Sequence, residues 1–246
     1  MNRERVRLQP AYILHHHPYR NSSRLLEVFT RDHGRFGMVA RGVGSRRSRL
    51  QGRLQPFRPL LLSWSGRGEL MTLTAAESDG LPLSLSGAAL LGGFYLNELL
   101  LRLTGRHLPT PDLFALYHET LCRLGEGGLD EGVLRSFECR LLEELGYRMV
   151  LDHDVESGAP IQPDRSYCYH IEKGPVEVAE DGGGELRLSG NTLLALARGR
   201  FPDAVSLREA RRLMRRVLAF YLGDKPLRSR QLFRALEKRS QGEPMP

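Results

Sequence analysis

The sequence predicts an α+β fold, with a five-stranded barrel at the N-terminus followed by a helical bundle that a small irregular or hairpin insertion interrupts. Three observations carry this. Through residue 75 the apolar residues alternate in short runs separated by turn signals; after Glu77 they recur at helical spacing; between Tyr147 and Leu188 the pattern is irregular apart from a short alternation at Tyr167, Tyr169 and Ile171. With 246 residues the chain can bury a real core without disulfide or metal staples. Its 26% charged and 41% hydrophobic residues exclude a mostly disordered chain, a collagen and a coiled-coil rod.

The barrel strands are expected at residues 10–16, 24–30, 35–43, 58–64 and 69–75. The first contains Tyr12, Ile13 and Leu14, and Asp32-His33-Gly34 supplies a turn between the second and third. In the third, Phe36, Met38 and Ala40 alternate with Gly37, Val39 and Arg41; in the fourth, Leu60, Leu62 and Trp64 share a face. The fifth puts Leu70, Thr72 and Thr74 on one face and Met71, Leu73 and Ala75 on the other. Five short strands fit an OB-type barrel over residues 1–78, and an SH3-like barrel has a similar size and pattern. Helices are expected over 85–104, from a Thr110 cap through Leu124, over 130–145 with Gly146 as the stop, over 206–222 and over 226–238. Residues 79–146 thus read as the first part of the helical domain. Residues 147–188 read as an insertion with a hairpin near Tyr167, Tyr169 and Ile171, and residues 189–246 as the second part with basic C-terminal helices.

Charge is distributed in blocks. Residues 1–75 carry fourteen Arg and no Lys against four acids, a net of +10; residues 76–185 total −12 and residues 186–246 total +9. Such a pattern implies that the basic ends meet an anionic partner while the acidic middle faces elsewhere. The segment from Gly42 to Arg53 holds four Arg, two Ser, three Gly and no acid. Arg offers a forked donor that matches phosphate, Gly lets backbone approach it, and Ser adds hydroxyl donors, so this segment reads as a single-stranded nucleic-acid contact. Candidate DNA-contacting residues are Arg35, Arg41, Arg46, Arg47, Arg49 and Arg53 in and around it. Arg212, Arg215, Arg216 and Arg230 are candidates in the later helices. Phe57 and Trp64 are candidate stacking platforms, although Trp64 shares a face with Leu60 and Leu62 and reads more simply as core.

Catalytic and metal signals are weak, and no cofactor is expected. Consecutive strand residues alternate faces, so His15, His16 and His17 cannot all ligate from one side. Asp152, His153 and Asp154 could hold Mg²⁺ for a metal-dependent nuclease, or form an ordinary polar loop. A protein–protein adaptor without DNA binding is the other alternative. Three scattered cysteines (Cys122, Cys139, Cys168), no apolar leader behind the N-terminal Arg residues and no run of 18 apolar residues point to a cytoplasmic protein, nucleoid-associated if its basic segments bind DNA.

Four stretches resemble the RecO family of bacterial recombination mediators. They are Arg41 through Ser48 with Leu54-Gln55-Pro56-Phe57; Tyr95-Leu96-Asn97-Glu98-Leu99-Leu100; Leu134-Arg135-Ser136-Phe137-Glu138 through Leu145-Gly146-Tyr147; and Tyr221-Leu222-Gly223 with Pro226-Leu227-Arg228-Ser229-Arg230. The resemblance implies a non-enzymatic protein that binds single- and double-stranded DNA, anneals complementary strands and works with RecR. Together these help RecA replace the single-stranded-DNA-binding protein, SSB. It also implies a pocket for the SSB C-terminal tail, with Arg135 matching its basic position and Leu134, Phe137 and Leu141 beside it. Some relatives carry a four-cysteine zinc module in the region matching 147–188; only Cys168 stands there in this chain, so no metal is expected.

Overall fold

In a computed structural model the chain is α+β, described over residues 4–43, 50, 52–68, 70–179, 184–223 and 225–233. Two compact units form: residues 1–129 with 227–246, and residues 130–226.

The first unit is built on β1 (Glu4–Tyr19), β2 (Ser23–Thr30), β3 (Gly34–Ala40), β4 (Leu60–Gly66) and β5 (Leu70–Ser78). They close into a barrel in the order β1-β2-β3-β5-β4, with a parallel β3–β5 pair and antiparallel pairs elsewhere. This is the expected OB-type barrel. Its interior holds Ala11, Ile13, Leu26, Val28, Phe36, Met38, Leu60, Leu62, Trp64 and Met71, so the alternating faces expected for the third and fourth strands are the buried ones. Trp64 is inside, among Phe36 and His33.

Two strands depart from expectation. β1 begins at Glu4, because Leu8 adopts φ +50° and its N–H donates to Ser63 Oγ, bending one long strand so that its first half pairs with β4 and its second with β2. In β5 a register shift opposite Ser63/Trp64 breaks the alternation, so Met71 and Ala76 are buried while Ala75 is only partly so.

Helices α1 (Gly87–Leu103) and α2 (Pro111–Gly127) belong to the barrel's unit. Tyr12 and Phe29, pointing out of the barrel, pack on Phe114 and Tyr117 of α2. Asn97 of α1 donates to the Leu14 carbonyl and accepts from Tyr117, joining strand and both helices through buried polar groups. Helices α1 and α2 therefore cluster with the barrel in one compact unit. Thr110 sits at the α2 cap position but makes no side-chain cap hydrogen bond.

The second unit packs α3 (Glu131–Glu144), α4 (Gly190–Arg198) and α5 (Ala204–Leu222) with a three-stranded sheet, ordered β7-β6-β8, of β6 (Ser166–His170), β7 (Gly174–Val178) and β8 (Arg187–Ser189). Asp130, Ser189 and Asp203 cap the three helices by accepting from Gly132, Thr192 and Ser206 N–H groups. The hairpin expected in the insertion is present, with a third strand added.

Residues 227–233 return to the first unit. The Glu98 carboxylate of α1 accepts from the Arg228 and Ser229 N–H groups and the Ser229 hydroxyl at 2.6–2.8 Å, capping the helical residues 228–233. Burial pushes the Glu98 carboxyl up, but these donors outweigh it and hold it below the ordinary value.

Candidate nucleic-acid interface

Strand topology collects arginines at one end of the barrel. The β1–β2 turn, the exits of β3 and β5, and the connection into β4 all lie there. Arg20 and Arg41 are exposed at this end and Arg24 is partly so, on β2 opposite Ala40. The connection continues it: Arg53 is exposed, with Nη1 on the Ala76 carbonyl at 3.4 Å, and Arg58 is half-exposed. Arg46, Arg47 and Arg49 belong to the same connection and lie outside the described residues. Among the described residues, the exposed acids Glu77 and Asp79 lie where β5 leaves the barrel.

Arg35 is not part of that surface. Its guanidinium donates to Thr104 Oγ1 (3.1 Å), the Thr104 carbonyl (2.7 Å) and Glu27 (3.2 Å), and Arg106 donates to the other Glu27 oxygen. It is a tie between β3 and the end of α1, its donors turned inward. Burial pulls it below its ordinary pKa, against the opposing pull of Glu27.

Phe57 is likewise corrected from a stacking platform to a core residue. It is buried, adopts φ +63°, meets Phe94 edge-on at 5.0 Å and lies against Gly93, where a Cβ would stand 2.9 Å from its ring.

Arg135 is corrected too. It is 7% exposed and pairs with Glu138, itself wholly buried, at 2.7 Å; Leu134, Phe137 and Leu141 are buried around it on α3. A cation held this way cannot also serve as an open hook for a terminal carboxylate.

The α5 arginines are exposed. Arg212 donates to the Arg187 carbonyl and Arg216 pairs with Glu185, while Arg208 and Arg215 lie on the same outward face. Surface pairs of this sort hold a side chain weakly. Arg230, in the first unit, is partly exposed and lies over the Tyr95 ring at 6.0 Å.

Asp152, His153 and Asp154 form a structural loop. One Asp154 oxygen accepts from Glu156 and Ser157 N–H and the other from Glu177 N–H, stapling the loop to β7. The Ser157 N–H, with help from Glu177, lowers the Asp154 carboxyl to about 2 against burial. The Asp152 carboxylate bonds its neighbour His153, at 2.8 Å. Among the described residues no three His, Cys, Asp or Glu side chains converge as a bound metal ion would need. Also among them, no helix is long and apolar enough to cross a membrane.

A closed OB-type barrel followed by helices places the chain in the class of OB-fold proteins. Within that class the chain matches two family descriptions, "Recombination protein O N terminal" over residues 5–80 and "Recombination protein O C terminal" over residues 85–231. It is 52% identical over 240 residues to the DNA repair protein RecO of Alkalilimnicola ehrlichii, covering 97% of this chain and 95% of that one. It is 47% identical to that of Nitrosospira multiformis, covering 97% and 99%, and 49% identical to that of Nitrosococcus oceani, covering 95% of each. The chain belongs to the RecO family of DNA repair proteins.

Proposed function

We propose that this chain is a non-enzymatic recombination mediator that binds single- and double-stranded DNA at the basic end of the barrel and anneals complementary strands. The observation that supports this most is the gathering of Arg20, Arg24, Arg41, Arg53 and Arg58 at that one end, where the Arg-rich connection also departs. Annealing brings two polyanions together, so their repulsion must be neutralised. A rim of guanidinium groups does this through phosphate alone, leaving base edges open to find their complement.

Binding of the SSB tail, partnership with RecR and loading of RecA belong to the same proposal and draw their support from family membership. The buried Arg135–Glu138 pair directs the search for the tail's anchor to other residues.

The test is annealing of two complementary labelled oligonucleotides, one coated with SSB, without ATP or divalent metal. Faster annealing with strands intact is expected. No acceleration, together with no salt-dependent DNA binding, overturns the proposal in favour of an adaptor role.

A further inference from the structure

Two of the stretches that carry the family resemblance meet in space in the second unit. Helix α3 ends in a Schellman motif: Gly146, at φ +84°, donates its N–H to the Glu143 carbonyl and Tyr147 donates to the Leu142 carbonyl. This reversal brings Tyr147 onto Tyr221 at the end of α5, the rings stacked with centroids 4.3 Å apart and planes 30° apart. Phe220 meets Tyr221 edge-on at 5.2 Å. The cluster is not a core: Tyr147 is 47% exposed and Phe220 53%. Aromatic rings with this much surface are costly to leave in water without a partner.

Its surroundings identify the partner's chemistry. Phe220 follows Arg216 by one helical turn, on the outward face of α5 that also carries Arg208, Arg212 and Arg215. The one acid within α5, Glu209, is turned away, accepting from Ser189 and Thr192. Arg148, Glu172 and Lys173 line a cavity together with Tyr147 and Tyr221, and Arg148 pairs with Glu143 at the surface. A row of guanidinium groups leading to exposed rings suits a chain with alternating phosphates and flat bases. A duplex offers the phosphates but keeps its base faces stacked, and a plain acidic peptide has no rings to stack.

We propose that Tyr147, Phe220 and Tyr221 form a base-stacking platform for single-stranded nucleic acid, fed by the arginine face of α5. This rests on the DNA-binding reading and adds a second contact, in a unit separate from the barrel. Stacking releases no counterions, so the platform tells single strands from duplex without changing salt dependence.

The test uses the full chain. Tyr147→Ala with Phe220→Ala, at exposed positions, is expected to weaken binding of an oligo-dT about ten-fold. The salt slope and the affinity for a duplex should be unchanged, and Tyr147→Phe should bind as the unsubstituted protein does. In parallel, an oligonucleotide carrying 5-iodouracil is cross-linked to the unsubstituted protein and the adducts are mapped. Adducts at Tyr147, Phe220 or Tyr221 are expected. Oligo-dT affinity unchanged in the double variant, with adducts confined to the first unit, overturns the platform while leaving the barrel reading intact. Loss of binding to a Glu-rich peptide but not to oligo-dT also overturns it, in favour of a protein-docking surface. An unsubstituted protein that binds no oligo-dT at moderate salt overturns both readings.

Discussion

Arg35, Phe57 and Arg135 show how far residue type alone carries a site. Each has side-chain chemistry suited to binding a ligand, and each is taken up inside the protein. The groups that hold Arg35 and Phe57 are remote in sequence or need the fold: Thr104 at the end of α1 and Gly93 in its middle. The Arg135 pairing was legible, since Glu138 stands three residues on, within a run of buried leucines and Phe137. Arg135→Ala is expected to destabilise the protein by about 3 kcal/mol in urea unfolding, because it removes the ion-pair partner of a buried carboxylate; Arg135→Met with Glu138→Leu should recover most of this. Phe57→Ala should cost about 3–5 kcal/mol in the same measurement and leave the DNA affinity of the folded protein unchanged. Asp154 makes stability pH-dependent. Its folded carboxyl titrates at about 2 against an ordinary 3.8, so its contribution is whole above about pH 4 and is lost as pH falls through about 2. Acid unfolding of Asp154→Ala should lack that component.

Among elements, faces were legible where period 2 held without interruption, as in Leu60, Leu62 and Trp64 of β4, and where a helical stripe ended on a glycine, as α3 does at Gly146. They were not legible at bulges. The start of β1 is disguised by Leu8, which leaves the strand geometry for one residue, and the phase slip in β5 depends on its partner strand rather than on its own residues. Gly146→Ala meets open space but forces a Cβ into the left-handed region; it should cost about 1 kcal/mol and loosen Tyr147 from Tyr221, seen as faster hydrogen exchange at the α3 end. Glu98→Ala removes the cap of residues 228–233 and should make the segment from Leu227 onward the first site of proteolysis, with a stability loss of about 1–2 kcal/mol.

At the scale of the molecule, the three charge blocks do not fold as three bodies. The segment from residue 227 joins the barrel's unit, which totals +10, while the α5 arginines sit in a unit with enough acid to total −3. The alternation of sign was legible; which basic stretch joins which unit depends on Glu98 reaching a helix 130 residues away. Single-strand binding should therefore owe most of its salt dependence to the barrel: Arg41→Ala with Arg53→Ala is expected to lower the slope of log K against log salt by about 1.4. The return of residue 227 to the barrel's unit also bears on synthesis. Chains generally fold N-terminal part first as they leave the ribosome. Here Leu227–Ser229 pack with the first unit but emerge after all of the second, so the first unit gains this last piece only once the whole second unit has been made. A chain ended after residue 226 would contain every residue of the second unit, while the α1 carboxylate, Glu98, would lack its Arg228 and Ser229 donors.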